Sequence, residues 1–362
     1  MFRTGFILNW RSDLVWFLAF PYVALAVAFG CQQWMPAVVV ASVGLWITIP
    51  HHFATWLRTY GVREDWDRWK DQLVIGPMVI LWLTVAGLVW APFTLLLVSY
   101  LWDHQHSIMQ QHGFARIYDF KAKSGAPWTP RWDFWLNWVL YGNMLLTMPL
   151  FTKIWVRELL RWHIPITVEG VHNMQVISWT LTAVFACLYL GQNAWAMRRG
   201  YALNPYKYVF LFGSYFLWYF VSWHTGSVLV YGIAHRLMHG VQYIVIVYWF
   251  LRRRGPKKDQ RRAIASRLVQ PGNLLLFLGT GLLYAFAYQL LTQQPLELFG
   301  FGVVALMSHY QDVPETSGFE PMSYEVGYDM LAAIVINSVA MVHYYFDSFI
   351  WKVRDRETQA GL

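Results

Sequence analysis

The sequence predicts an all-α, polytopic bundle of about ten transmembrane helices, on three observations. Hydrophobic residues make up 57% of the 362 and charged residues only 13%, where a soluble domain carries roughly a quarter charged. Apolar runs of about 20 residues, the length that crosses a bilayer as a helix, recur along the whole chain. Lys and Arg gather at alternate ends of these runs, as they do when one set of short loops stays in the cytoplasm.

The first run, 14–30, follows Arg3 and Arg11. It lacks a small-residue cleavage pattern behind a short apolar core, so it reads as a permanent span. The second, 36–57, closes on Pro50, His51 and His52, ahead of Arg58. The third and fourth, 73–91 and 92–113, are divided only at Trp90, Ala91 and Pro92, where the proline opens a tight turn. The fifth is 132–151. After it comes an exception to the charge rule, an outer loop at 153–172 with Lys153, Arg157 and Arg161. Trp155, Leu159, Leu160 and Trp162 among those cations predict a helix lying in the membrane interface. Runs 174–196, 207–224, 226–251, 273–291 and 327–351 complete the set, and 299–309 is short enough to read as re-entrant or interfacial.

With this count the basic start, 58–70, 116–131, Arg198 with Arg199, 252–267 and the tail share one face. Both termini are therefore predicted cytoplasmic, with the acidic stretch 311–326 opposite. Topology and anionic headgroups account for the net charge of +8, so it does not indicate a nucleic-acid partner. No linker or low-complexity run divides the chain. Residues 1–362 read as a single integral-membrane helical domain, of the kind found in a bacterial inner membrane, with the lipid bilayer as its first partner. Cys31 and Cys187 form neither a metal-type cluster nor a disulfide framework.

The chemistry lies in the histidines. Of 12, His51, His52, His104, His106, His112, His235, His239 and His343 fall on four runs that cross in the same direction. An imidazole in hydrocarbon is costly unless it faces other helices or a cavity and has a partner, and a metal suits so many neutral rings. His51 and His52 point about 100° apart, so they serve two ions, or one ligates while the other supports it. Asp103, His106 and Gln110 share one helical face, and His104 and His112 another. His235 and His239 stand four apart and can converge on one ion, as zincin histidines do, although no Glu follows His235. His343 and Asp347 have the same spacing, which suits two ligands or a carboxylate orienting a ligand imidazole. These ten residues outnumber one ion's ligands, so two ions, or one ion in a polar surround, are expected. Nitrogen with some carboxylate suits iron, copper or zinc over magnesium or calcium. His163, His172, His224 and His309 fall in outer loops or at an outer helix end and read as surface residues.

His51-His52, His104-x-His106, His235-x-x-x-His239 and His343 resemble the histidine boxes of integral-membrane di-iron desaturases and hydroxylases. The family's HxxxH box is matched at His235, whereas its HxxHH boxes are absent and this chain has more spans. The resemblance implies two non-haem iron ions that activate oxygen against a lipophilic substrate, such as a fatty acyl chain, isoprenoid or carotenoid, with electrons from a redox partner. Two other readings stay open. Histidines on facing helices can ligate haem in an electron carrier, although Asp103 and Asp347 would be poor axial ligands. Intramembrane His, Asp and Arg also build metal or proton transporters and metal-delivery factors, for which Gly76-Pro77 is a candidate helix break.

Overall fold

A computed structural model describes residues 1–254, 265–292, 330–353 and 355–362. Among them the regular structure is helical, with one isolated bridge between Phe2 and Leu203. Helix α1 is Trp10–Trp34, α2 Ala37–Thr59, α3 Arg63–Trp90, α4 Pro92–Ala122 and α5 Thr129–Thr147. The chain continues with α6 Pro149–Arg161, α7 Val168–Arg198, α8 Pro205–His224 and α9 Val228–Arg254. The last are α10 Leu274–Thr292, α11 Met330–Ile350 and α12 Arg356–Gly361. The segment 299–309, the acidic stretch 311–326, His309 and residues 255–264 of the basic run lie outside the described residues.

Local chemistry sets many of the helix starts. The side chains of Asn9, Thr167 and Asn204 accept from Ser12 N, Gly170 N and Tyr206 N, capping α1, α7 and α8. Pro92, Pro149 and Pro205 occupy the first turn, where the missing N–H costs nothing.

Over its described residues each of the ten predicted runs lies on a helix, or, for the fifth, on α5 and the start of α6; 327–329 of the last run lie outside them. By length and composition α1, α3, α7, α10 and α11 are apolar enough to cross a membrane, and α5 with α6 makes a sixth if this pair counts as one span. Helices α4 and α9 fall short because Asp103, His104 and His106, and His235, Arg236, His239 and Gln242, lower their mean hydropathy. The polarity that removes them is that of the candidate site. Ile177, Leu181 and Leu188 on α7 and Leu275 and Leu283 on α10 are exposed, an outward apolar face that suits lipid and not water.

The α5–α6 pair bends by 73° at Met148, where the following proline disfavours continued helix. The amphipathic helix expected in 153–172 is therefore α6, which begins at Pro149. Its Val156 and Leu160 pack on Val171 of α7. Gly76-Pro77 is not a break, because α3 runs through it and is non-helical only at Trp69. Gly76 lets α11 come close: a Cβ there would clash with the ring of Tyr345, which would have to shift.

Helix α9 is central and packs on α1, α2 and α8, while α11 packs on α3 and α4. The predicted cytoplasmic segments meet at one end of the bundle. Arg3 Nη1 donates to Lys123 O at 3.3 Å, Arg68 pairs with Asp355 at 3.0 Å and Arg254 with Asp65 at 2.9 Å. Lys121 and Arg253 both donate to Leu362 O, and Arg3 N donates to Leu203 O.

Candidate metal centre

Helices α2, α4, α9 and α11 bring five imidazoles together. Ring centroids of His51 lie 4.5 Å from His52, 4.9 Å from His239 and 4.6 Å from His343. His106 lies 4.9 Å from His239 and 4.8 Å from His343. All five side chains are buried. The close α2–α9 contact depends on Gly240, where even a Cβ would come within 3.3 Å of His51 Nδ1.

Two overlapping donor groups emerge, His51 with His239 and His343, and His106 with His343 and Asp347, each with ligand atoms within 4.8 Å of one another. His51 Nε2 and His343 Nε2 are 3.0 Å apart, a spacing at which one ring can hydrogen-bond the other. Two nitrogens about 2.1 Å from one ion, at right angles, are about 3.0 Å apart, so this spacing fits neighbouring ligands. Asp347 Oδ2 lies 3.7 Å from His106 Nε2 and 4.0 Å from His343 Nε2.

A hydrogen-bond chain sets the orientation of His343. Tyr243 OH donates to Asp347 Oδ1 at 2.7 Å, since a carboxylate only accepts. With that proton committed, Thr55 Oγ1 donates to Tyr243 OH, also at 2.7 Å. Thr55 Oγ1 then accepts from His343 Nδ1–H at 2.7 Å, which leaves the His343 Nε2 lone pair for a ligand role. The same chain occupies Asp347 Oδ1 and leaves Oδ2 facing the imidazoles. Trp351 Nε1 adds a donation to Tyr243 OH at 3.2 Å.

His104 and His235 form a second pair beside the five, stacked at 5.0 Å between centroids. His104 Nδ1 donates to Tyr100 O at 2.7 Å and His235 Nε2 bonds Ser107 Oγ at 2.6 Å. Asp103 pairs with Arg236 at 3.6 Å. His112 is apart, near Asn137 Nδ2 at 3.5 Å and against Phe134, so the face expected to join it to His104 does not bring the two into one site. Gln110 donates to His239 O at 3.1 Å. Both ring nitrogens of His52 and of His239, with His104 Nε2, His106 Nε2 and His235 Nδ1, are buried without a hydrogen-bond partner among the described residues. Unpartnered buried nitrogens in such number are costly, and a cation would satisfy several of them at once.

Sequence reasoning did not single out Thr55, Tyr243 or Trp351, although each stands four residues after a site residue, His51, His239 and Asp347, and so continues its helical face. The basic 58–70 segment places Arg58 at the membrane surface as a topological cation. Instead Arg58 is fully buried, stacked between Phe250 at 4.0 Å and Trp351 at 3.8 Å, with Nη2 donating to Ile350 O at 2.5 Å. A cavity of about 1200 Å³ reaches the centre at His106, Tyr243, Tyr344 and Asp347. Comparison of the chain with protein-family models, curated proteins and solved structures found no match.

Proposed function

We propose that this protein is a membrane-embedded His/Asp metalloenzyme, an iron-dependent oxygenase, hydroxylase or desaturase acting on a lipophilic substrate. The observation that carries this reading is the two-histidine, one-carboxylate set of His106, His343 and Asp347 bordering a cavity. Such sets with open positions suit non-haem iron, which when bound supplies oxygen activation. His51 and His239 add nitrogen donors from behind. Because His343 belongs to both donor groups, one ion in a polar surround is favoured over two ions.

The chain's own residues do the rest. Asp347 holds Tyr243, Tyr243 holds Thr55, and Thr55 holds the His343 ring. Trp102 and Tyr344 line the cavity beside His106 and exclude water from the reacting end. The packing disfavours haem, since neighbouring rings 4.5 to 4.9 Å apart leave no slot for a macrocycle. The meeting of the described parts of the basic segments at one end supports placing both termini on one side of the membrane, which the charge pattern reads as the cytoplasm. A redox partner would then deliver electrons from that side, and the likeness to multi-histidine desaturases remains one of chemistry.

Metal analysis and an optical spectrum of the detergent-purified protein test the proposal together. About one iron per chain with no Soret band is expected. A Soret band, or stoichiometric zinc or copper with no iron, would overturn it. Thr55→Val keeps the side chain's shape and removes the acceptor for His343 Nδ1. It is expected to lower metal affinity about 10- to 100-fold, measured by competition with a chelator, with helix content unchanged.

A further inference from the structure

The cavity that ends at the metal centre runs the other way to the cytoplasmic end of the bundle. Its walls include Met109, Phe114, Ile117, Phe134 and Ile246, and its far end carries Lys121, Lys123 and Lys352. From His106 to the end of α4 at Ala122 the helix rises about 24 Å, more than the roughly 15 Å of hydrocarbon in one leaflet. At about 1200 Å³ the volume exceeds the roughly 300–1,000 Å³ of most ligand pockets.

The charges at that far end do not cancel. Arg116 and Asp119 also border the cavity, but they are engaged with each other and with Lys207 and Asp133. Lys121 donates to Leu362 O. Lys123 and Lys352 are exposed and make no ion pair among the described residues. A mainly apolar passage, with Gln105, Gln110 and His112 also in its wall, metal-ligand candidates at one end and spare cations at the other suits an amphiphile better than a water-soluble metabolite. A neutral lipid would leave the lysines unused.

We infer that this cavity binds a single-chain amphiphile with an anionic head, a carboxylate or a phosphate. The head sits at Lys123 and Lys352 and the tail extends past Ile117 and Met109 toward His106 and Asp347. What is done to the tail rests on the metalloenzyme reading, whereas the binding itself does not.

The test is equilibrium binding to the full-length protein in detergent, with palmitate, its methyl ester and farnesyl phosphate as probes. Palmitate, farnesyl phosphate or both are expected to bind at least tenfold more tightly than the ester, which distinguishes a carboxylate head from a phosphate one. Lys123→Glu with Lys352→Glu is expected to erase that preference. Met109→Trp narrows the passage and is expected to weaken all three probes about tenfold, with an unchanged gel-filtration profile as the check on folding. Equal affinity of the ester and both anionic probes, or binding indifferent to Met109→Trp, would overturn the inference. If the pattern holds in a protein without iron, the enzymatic reading fails while this site stands. The reverse result separates them the other way.

Discussion

His343→Ala is expected to abolish iron binding and activity while the protein still inserts and folds. His343 is the one imidazole common to both donor groups, and its Nε2 lies 3.0 Å from His51 and 4.0 Å from Asp347. Removing it breaks both groups at once, whereas loss of His51 or His106 breaks only one. The truncation leaves a void and deprives Thr55 of the donor from Nδ1, a cost of about 2–5 kcal/mol by analogy with other large-to-small core changes. A bundle of this size can absorb that, and retained helix content would show it. Iron per chain should fall below about one-tenth of the wild-type value. His112→Ala is the matched control for metal: its ring lies beside Asn137 and Phe134 and outside the cluster, so iron should survive. Full iron retention in the His343 variant would refute the assignment, and iron loss in both would show that the histidines are not separable in this way.

The helices and the four that carry the site were legible because a bilayer imposes a simple grammar. Long apolar runs become helices, and a histidine inside one needs a reason. That grammar is periodic along single helices and says nothing of which helices touch. His104 and His106 are two residues apart, so they point to different neighbours. His106 meets His239 and His343, whereas His104 stacks on His235. Which of the two joins the centre depended on where α9 and α11 pack. Thr55 and Tyr243 were hidden for another reason: a Thr or Tyr in an apolar run is ordinary, and only contact across helices turns it into part of a hydrogen-bond chain. The reading of α6 as an interfacial helix drew on local amphipathicity alone, and the helix is present. The Gly76-Pro77 break was read from residue type alone, and here packing against Tyr345 governs.

The same limit concealed a buried cluster of four charges. Lys207, near the start of α8, is fully buried and lies 2.8 Å from Asp119 of α4 and 2.7 Å from Asp133 of α5. Arg116 meets the same two carboxylates at 2.6 and 3.1 Å, and Tyr189 of α7 donates to Asp133 at 2.7 Å. Two cations thus balance two anions where four helices meet, beside the cavity wall. Lys207→Met is expected to destabilise the protein by about 3–5 kcal/mol, because it leaves an uncompensated buried carboxylate. A lowered thermal midpoint in detergent would show this. Adding Asp133→Asn to Lys207→Met restores neutrality with Arg116 and Asp119 still paired, so the double variant should recover at least half of the loss. Iron per folded chain should be unchanged in both, since neither residue contacts the histidines. If Lys207→Met alone is neutral, water or a neighbouring group satisfies the carboxylates and the network is not a structural clasp. If the double variant is no better than the single one, the cost lies in lost packing and not in unbalanced charge.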